Sequence, residues 1–224
     1  MIGPPVVRLH QVSKSFGPPE APTPVLRNVD LTIRAGEKAS LIGPSGSGKS
    51  TLLSLIAGLL RPTAGSVEVD GVGMSGLDDR NRAQLRADRI GIALQADNLI
   101  PFLSARENVE LALAFGGRRS ARAARARAVE LLEQFEVADR ADHRPRHLSG
   151  GEAQRVALAV SMANEPALLL ADEVVAQLDG DTAARVVDAV LTADFAVLFV
   201  SHDVALADLV DHRFALVDSE LVVR

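Results

Sequence analysis

The chain has 224 residues, of which 47% are hydrophobic, with a formal net charge of −5 and no cysteine. That length suits one large α/β domain, or a core carrying an inserted subdomain. The acidic balance argues against a protein held to nucleic acid by bulk charge, and the missing cysteine excludes disulfides, thiol chemistry and thiolate zinc clusters.

Taken in order, Met1 to Pro5 lacks the basic-then-apolar layout of a signal peptide, and the chain has no run of about 18 apolar residues. A cytoplasmic location is therefore expected. Val6 to Val12 alternates weakly and predicts a strand. After a loop rich in proline (Pro18, Pro19, Pro22, Pro24), Val25 to Ile33 alternates again, so the pair predicts an antiparallel β-layer. Ala35-Gly36-Glu37 is a turn into the first core strand, Lys38 to Ile42. Next come a glycine-rich loop and a helix carrying Leu52 to Ala57, with Arg61 to Gly65 as the helix stop. Ser66 to Gly71 predicts a short strand and turn, Leu77 to Asp88 a polar helix, and Arg89 to Leu94 a second core strand closed by Gln95.

From Asp97 to about Ala163 the pattern is helical. Ser104-Ala105-Arg106-Glu107 has capping-box spacing, Gly116-Gly117 breaks that helix, and another runs from Ser120 to Phe135. The arginines of this stretch (Arg118, Arg119, Arg122, Arg125, Arg127) are spread over a helix otherwise rich in alanine and read as a solvated face rather than a lipid or nucleic-acid surface. Ser149-Gly150-Gly151-Glu152 opens a third helix. Ala167 to Leu170 is an apolar strand ending in Asp172-Glu173. A helix over Asp181 to Leu191 and a last core strand, Ala196 to Val200, lead to Ser201-His202-Asp203. Arg213 to Val223 predicts a strand pair.

The loop Gly43-Pro44-Ser45-Gly46-Ser47-Gly48-Lys49-Ser50-Thr51 matches G-x-x-x-x-G-K-[ST] at every fixed position and sits between a strand and a helix. Glycines let successive N–H groups turn toward an anion, and the helix start adds partial positive charge. Lys49 can reach terminal phosphates and the Ser50 hydroxyl can ligate Mg²⁺, so the chain binds a nucleoside triphosphate. Four core strands run into polar elements at their C-terminal ends: this loop, Gln95, Asp172-Glu173 and His202. Parallel sheets present ligand sites at those ends. Asp172 then shares Mg²⁺ with Ser50, Gln95 serves the metal and the water, Glu173 orients or deprotonates that water, and His202 donates to the γ-phosphate. Ser149 to Glu152 is a second helix terminus suited to an anion, with a capping box, two bare glycines and a helix dipole.

The phosphate loop, Gln95, Leu148 to Glu152, Leu170 to Glu173, Asp179 and His202, in that order and spacing, resemble the nucleotide-binding subunit of ABC transporters over essentially the whole chain. The resemblance implies an α/β fold: a P-loop NTPase core with a mainly parallel sheet (1–95 and 164–224), an antiparallel β subdomain and an inserted α-helical subdomain (about 96–163). It implies that Ser149, Gly150 and Gly151 serve ATP held by another copy's phosphate loop, so that two subunits close head-to-tail. Asp179 would couple the two sites, and Phe16 would stack on adenine where the family usually has tyrosine. Leu94 to Val109 is similar to the lipoprotein-release, macrolide-efflux and cell-division branch. That branch implies an integral membrane permease as partner, export or extraction as the task, and a place at the cytoplasmic face of the membrane.

The sequence departs from the family at Val174-Val175 and Ala176-Gln177, near the catalytic carboxylate, and at Ala153 and Val160 behind the signature. None removes a catalytic group, though dimer closure and turnover are open to change. Other classes stay in view. One is a regulatory ATP-dependent partner of a membrane protein without transport. Another is a soluble ATPase of the same type in DNA repair, chromosome structure or translation, which would usually carry coiled coils or tandem cores. A simple phosphate-loop kinase leaves Leu148 to Glu152 and His202 unexplained.

Overall fold

A computed structural model describes residues 3–93, 99–117, 120–172, 188, 190–200 and 209–223. Gln95, Glu173, Asp179 and His202, the departures at 174–177, Arg118 and Arg119, and most of the helix expected over 181–191 lie outside the described residues. The chain divides into two compact units, one of residues 1–86 with 194–224 and the other of 87–193.

In the first unit, β1 (Pro5–Phe16) pairs antiparallel with β2 (Thr23–Arg34) and with β4 (Ala64–Val69), and β4 turns through Asp70–Gly71 into the short β5 (Val72–Gly73). The alternation in β1 and β2 is weak for a reason. The register shifts between Leu9 and Val12, where Gln11 takes φ 47°, and Asn28 takes φ 43° on the facing strand. Each extra residue reverses the inside-outside parity, which keeps Val12 on the buried face with Leu9 in β1, and Leu26 there with Val29 in β2. Asn28 N–H donates to Ser13 Oγ across the irregular stretch at 3.0 Å.

The unit's other layer holds β3 (Lys38–Ile42) parallel to both β8 (Ala196–Val200) and β9 (His212–Val217), with β10 (Glu220–Val223) antiparallel on β9. β8 is buried at every position, as an apolar strand covered on both faces must be. Even Lys38 is buried: its ammonium donates to Phe195 O at 2.6 Å and Gly36 O at 3.2 Å, and desolvation lowers its pKa. The helix α1 (Lys49–Ile56) stops earlier than Arg61-to-Gly65 suggests. Ser54 O accepts from both Leu59 and Leu60, so the chain turns directly after the helix, and Ala64-Gly65 already belongs to β4. A polar helix, α2 (Asp79–Arg89), follows.

In the second unit, β6 (Ile90–Ala93) runs parallel to β7 (Leu168–Asp172). α3 (Ala105–Gly116), α4 (Ala121–Gln134) and α5 (Gly150–Ser161) pack on one another, and α5 lies on β6. That last contact needs Gly91, because a Cβ there would meet Ser161 O at 2.4 Å. Asn164 ties the layer together by donating to Ala87 O and Ala112 O. The α/β architecture, with parallel core strands, an antiparallel layer and a helical part, agrees with the expected fold.

Candidate functional site

β3 delivers the chain to the phosphate loop, and α1 starts at its lysine. Gly48 is the N-cap residue at φ 104°, a left-handed conformation that a side chain would strain, and an added Cβ would press on Val25 Cγ1 at 3.0 Å. The start of α1 has no side-chain cap and no acidic residue in its first turn. Its N-terminal N–H groups and dipole are therefore left for an anion. Ser47 Oγ is buried with no hydrogen-bond partner among the described residues, as a group waiting for a ligand oxygen would be. Lys49 folds back on the loop and donates to Gly43 O at 2.7 Å and Pro44 O at 2.9 Å. Ser50 is exposed, so its hydroxyl can meet a cation in solvent. These residues fit a triphosphate with its metal.

Phe16, at the end of β1, is 41% exposed, and Lys14 Nζ stands 5.0 Å from its ring centroid while donating to Arg61 O. The lysine supports the ring and positions an exposed aromatic surface beside positive charge.

In the second unit Asp172 closes β7 at its C-terminal end and is half-buried. α5 begins with a complete capping box: Ser149 Oγ accepts from Glu152 N at 3.2 Å, and Glu152 Oε2 accepts from Ser149 N at 2.7 Å. The other carboxylate oxygen, Oε1, accepts from Arg140 Nε at 2.8 Å. The backbone hydrogen bond from Ser149, followed by that from Arg140, lowers the Glu152 pKa to about 2. As an acceptor from Glu152 N, the Ser149 hydroxyl keeps its own O–H to donate. Among the described residues, no acceptor is bonded to the N–H groups of Gly150 and Gly151.

The structure thus brings together the members of the phosphate loop in one unit and Ser149, Gly150 and Gly151 in the other, with Asp172 at its strand end. Two residues escaped sequence reasoning. Arg140 precedes Ser149 by nine positions with no periodicity to link them; the available signal was a helix-start glutamate in need of a cation. Asn108 is buried, accepts from Ile100 N and donates to Ile100 O, Leu103 O and Ser104 O, so it sets the path of the segment before α3.

Comparison with known proteins bears on this arrangement. Residues 26–176 match the family described as ABC transporter. The chain is 40% identical over 223 residues to the ABC transporter ATP-binding protein MJ0796 of Methanocaldococcus jannaschii, covering 96% of this chain and 95% of that one. It is 42% identical over 224 residues to the lipoprotein-releasing system ATP-binding protein LolD of Nitrobacter hamburgensis, covering 97% and 95%. A solved dimeric structure of MJ0796, in a post-hydrolysis state with ADP and Pi, superposes with a TM-score of 0.89 at 40% identity, covering 96% of each chain.

Proposed function

The chain is an ATPase of the ABC transporter family, and from that premise we propose that it drives a membrane permease by closing head-to-tail with a second copy over a pair of ATP molecules. The observation that carries the proposal is the presence in one chain of two helix starts open to phosphate, those of α1 and α5. One bound nucleotide needs only one of them from its own subunit. The other is free to serve the partner's nucleotide, and the dimeric state of the related MJ0796 supports that use.

In this reading backbone N–H groups of the loop from Ser45 through Thr51 cradle the phosphates, and Lys49 exchanges its loop carbonyls for phosphate oxygens. Phe16 stacks on adenine. Ser50, Asp172 and Gln95 hold Mg²⁺, which supplies neutralisation of the phosphate charge when bound. Glu173 takes the proton from the attacking water, His202 donates a hydrogen bond to the γ-phosphate, and Asp179 couples the two sites. Ser149, Gly150 and Gly151 complete the site of the other copy. Catalysis is then positioning and electrostatic stabilisation.

The core comprises 1–95 and 164–224, and the helical subdomain of about 96–163 receives the permease. No helix among the described residues is long and apolar enough to cross a membrane. The chain would therefore reach the membrane through that partner, at its cytoplasmic face. Similarity to lipoprotein-releasing ATP-binding proteins favours export or extraction as the task. The deciding experiment is Glu173→Gln. Removing the base should slow ATP turnover by about 10²- to 10⁴-fold and leave an ATP-bound dimer visible by light scattering. A variant that stays monomeric in ATP and turns over at the parent rate would rule this mechanism out.

A further inference from the structure

We propose that Arg140 is a positioning residue for the nucleotide-facing end of α5, holding Ser149 and the open N–H groups of Gly150 and Gly151 in place for phosphates bound by a second copy of this chain. The assignment rests on the dimer reading above and deepens it.

The geometry runs through one short chain of bonds. Arg140 Nη1 meets Asp139 Oδ2 at 3.0 Å, and Arg140 Nε meets Glu152 Oε1 at 2.8 Å. Glu152 Oε2 in turn holds Ser149 N at 2.7 Å. The guanidinium is therefore fixed on two carboxylates through different nitrogens, an arrangement that a point-charge ammonium does not reproduce. Its own backbone is well anchored. Arg140 ends the one-turn segment Ala138–Arg140, which follows the fully buried Val137.

The electrostatic argument gives this arm a purpose beyond shape. Glu152 carries a negative charge at the terminus that must accept a phosphate of the same sign. Without compensation it would repel the ligand and cancel part of the helix dipole. Arg140 supplies the compensating cation directly on that carboxylate. It also keeps Glu152 on Ser149 N–H, so the Ser149 hydroxyl stays in the capping geometry that leaves its proton free for the ligand. The side chain is 39% exposed, so little core packing depends on it.

The test uses the full chain carrying Glu173→Gln, in which ATP-dependent dimerisation is read by light scattering. Adding Arg140→Ala should raise the ATP concentration for half-dimerisation about tenfold, the effect of one charge-assisted hydrogen bond. Binding of the fluorescent nucleotide MANT-ADP to the monomer should be unchanged, because the chain's own phosphate loop is untouched. Arg140→Lys should fall between the two, and it serves alone if the alanine chain does not fold. An unchanged half-dimerisation concentration overturns the assignment. So does a matching loss of MANT-ADP affinity, which is what general unfolding would produce. If the Glu173→Gln chain with Arg140 intact never dimerises in ATP, the dimer reading itself falls and takes this assignment with it.

Discussion

Two helices of the second unit, α3 and α5, start with the same device and end up chemically different. Ser104-x-x-Glu107 and Ser149-x-x-Glu152 both form complete capping boxes, with matching distances of 2.7 and 3.2 Å. At α3 the next N–H groups are also taken, since Ala105 N donates to His143 O and Arg106 N to Ala141 O. At α5 the corresponding positions are Gly150 and Gly151, with no bonded acceptor among the described residues and no side chain to cover them. The box is therefore a folding device shared by both helices. What distinguishes α5 is that its end is left open, and α1, with no side-chain cap at all, is the extreme of the open kind.

The largest expected effect is at that extreme. Lys49→Ala removes the only side-chain cation of the phosphate loop and should lower ATP turnover about 10²- to 10³-fold. Thermal stability should barely change, because the ammonium's present partners are two carbonyls of its own loop, one part-buried and one exposed. A loss of melting temperature in step with activity would mean Lys49 matters through folding instead. Next comes the paired test of α3 against α5. Ser104→Ala and Ser149→Ala should each cost about 1 kcal/mol as lost caps, or about 2–4 °C in melting temperature. Only Ser149→Ala should also lose ATPase activity, by about 10²-fold. Equal activity losses in the two variants would show that the open end of α5 carries no special role.

The phosphate loop and both capping boxes were legible in the sequence because each is a local pattern whose geometry follows from spacing alone. β8 was legible as a continuous apolar run and β3 as the strand between a turn and the phosphate loop, and their observed limits match the expected Lys38–Ile42 and Ala196–Val200. Other features depend on partners distant in sequence. The parity reversals at Gln11 and Asn28 are agreed between two strands, so neither strand shows them by itself. The early stop of α1 is set by a carbonyl that accepts twice, a bond pattern with no residue-type signature. Arg140 bonds Glu152 across a one-turn segment and a loop, where no helical or strand period connects them. Asn108 sits inside Leu94 to Val109, where the sequence shows only a branch resemblance, although its four hydrogen bonds shape the preceding segment.

The smallest expected effect separates the two boxes by pH. Glu152 titrates at about 2 in the folded chain against an ordinary 4.5. A lowered carboxylate pKa stabilises the fold fully above the unfolded value and loses that contribution as pH falls toward the folded one. Glu152→Gln keeps an oxygen for Ser149 N–H but removes the charge that meets Arg140. Its melting temperature should lie below the parent's at neutral pH, and the gap should close as pH falls through the window from 4.5 to about 2. The pKa of Glu107 is also lowered, first by the backbone hydrogen bond of Ser104, but among the described residues no arginine hydrogen-bonds its carboxylate. Glu107→Gln should therefore show the same sign with a smaller gap. Thermal melts of the three chains at steps through that window decide the matter. A gap for Glu152→Gln that stays constant down to the acid end would mean its charge is not held by Arg140, and the two boxes would then differ only in their glycines.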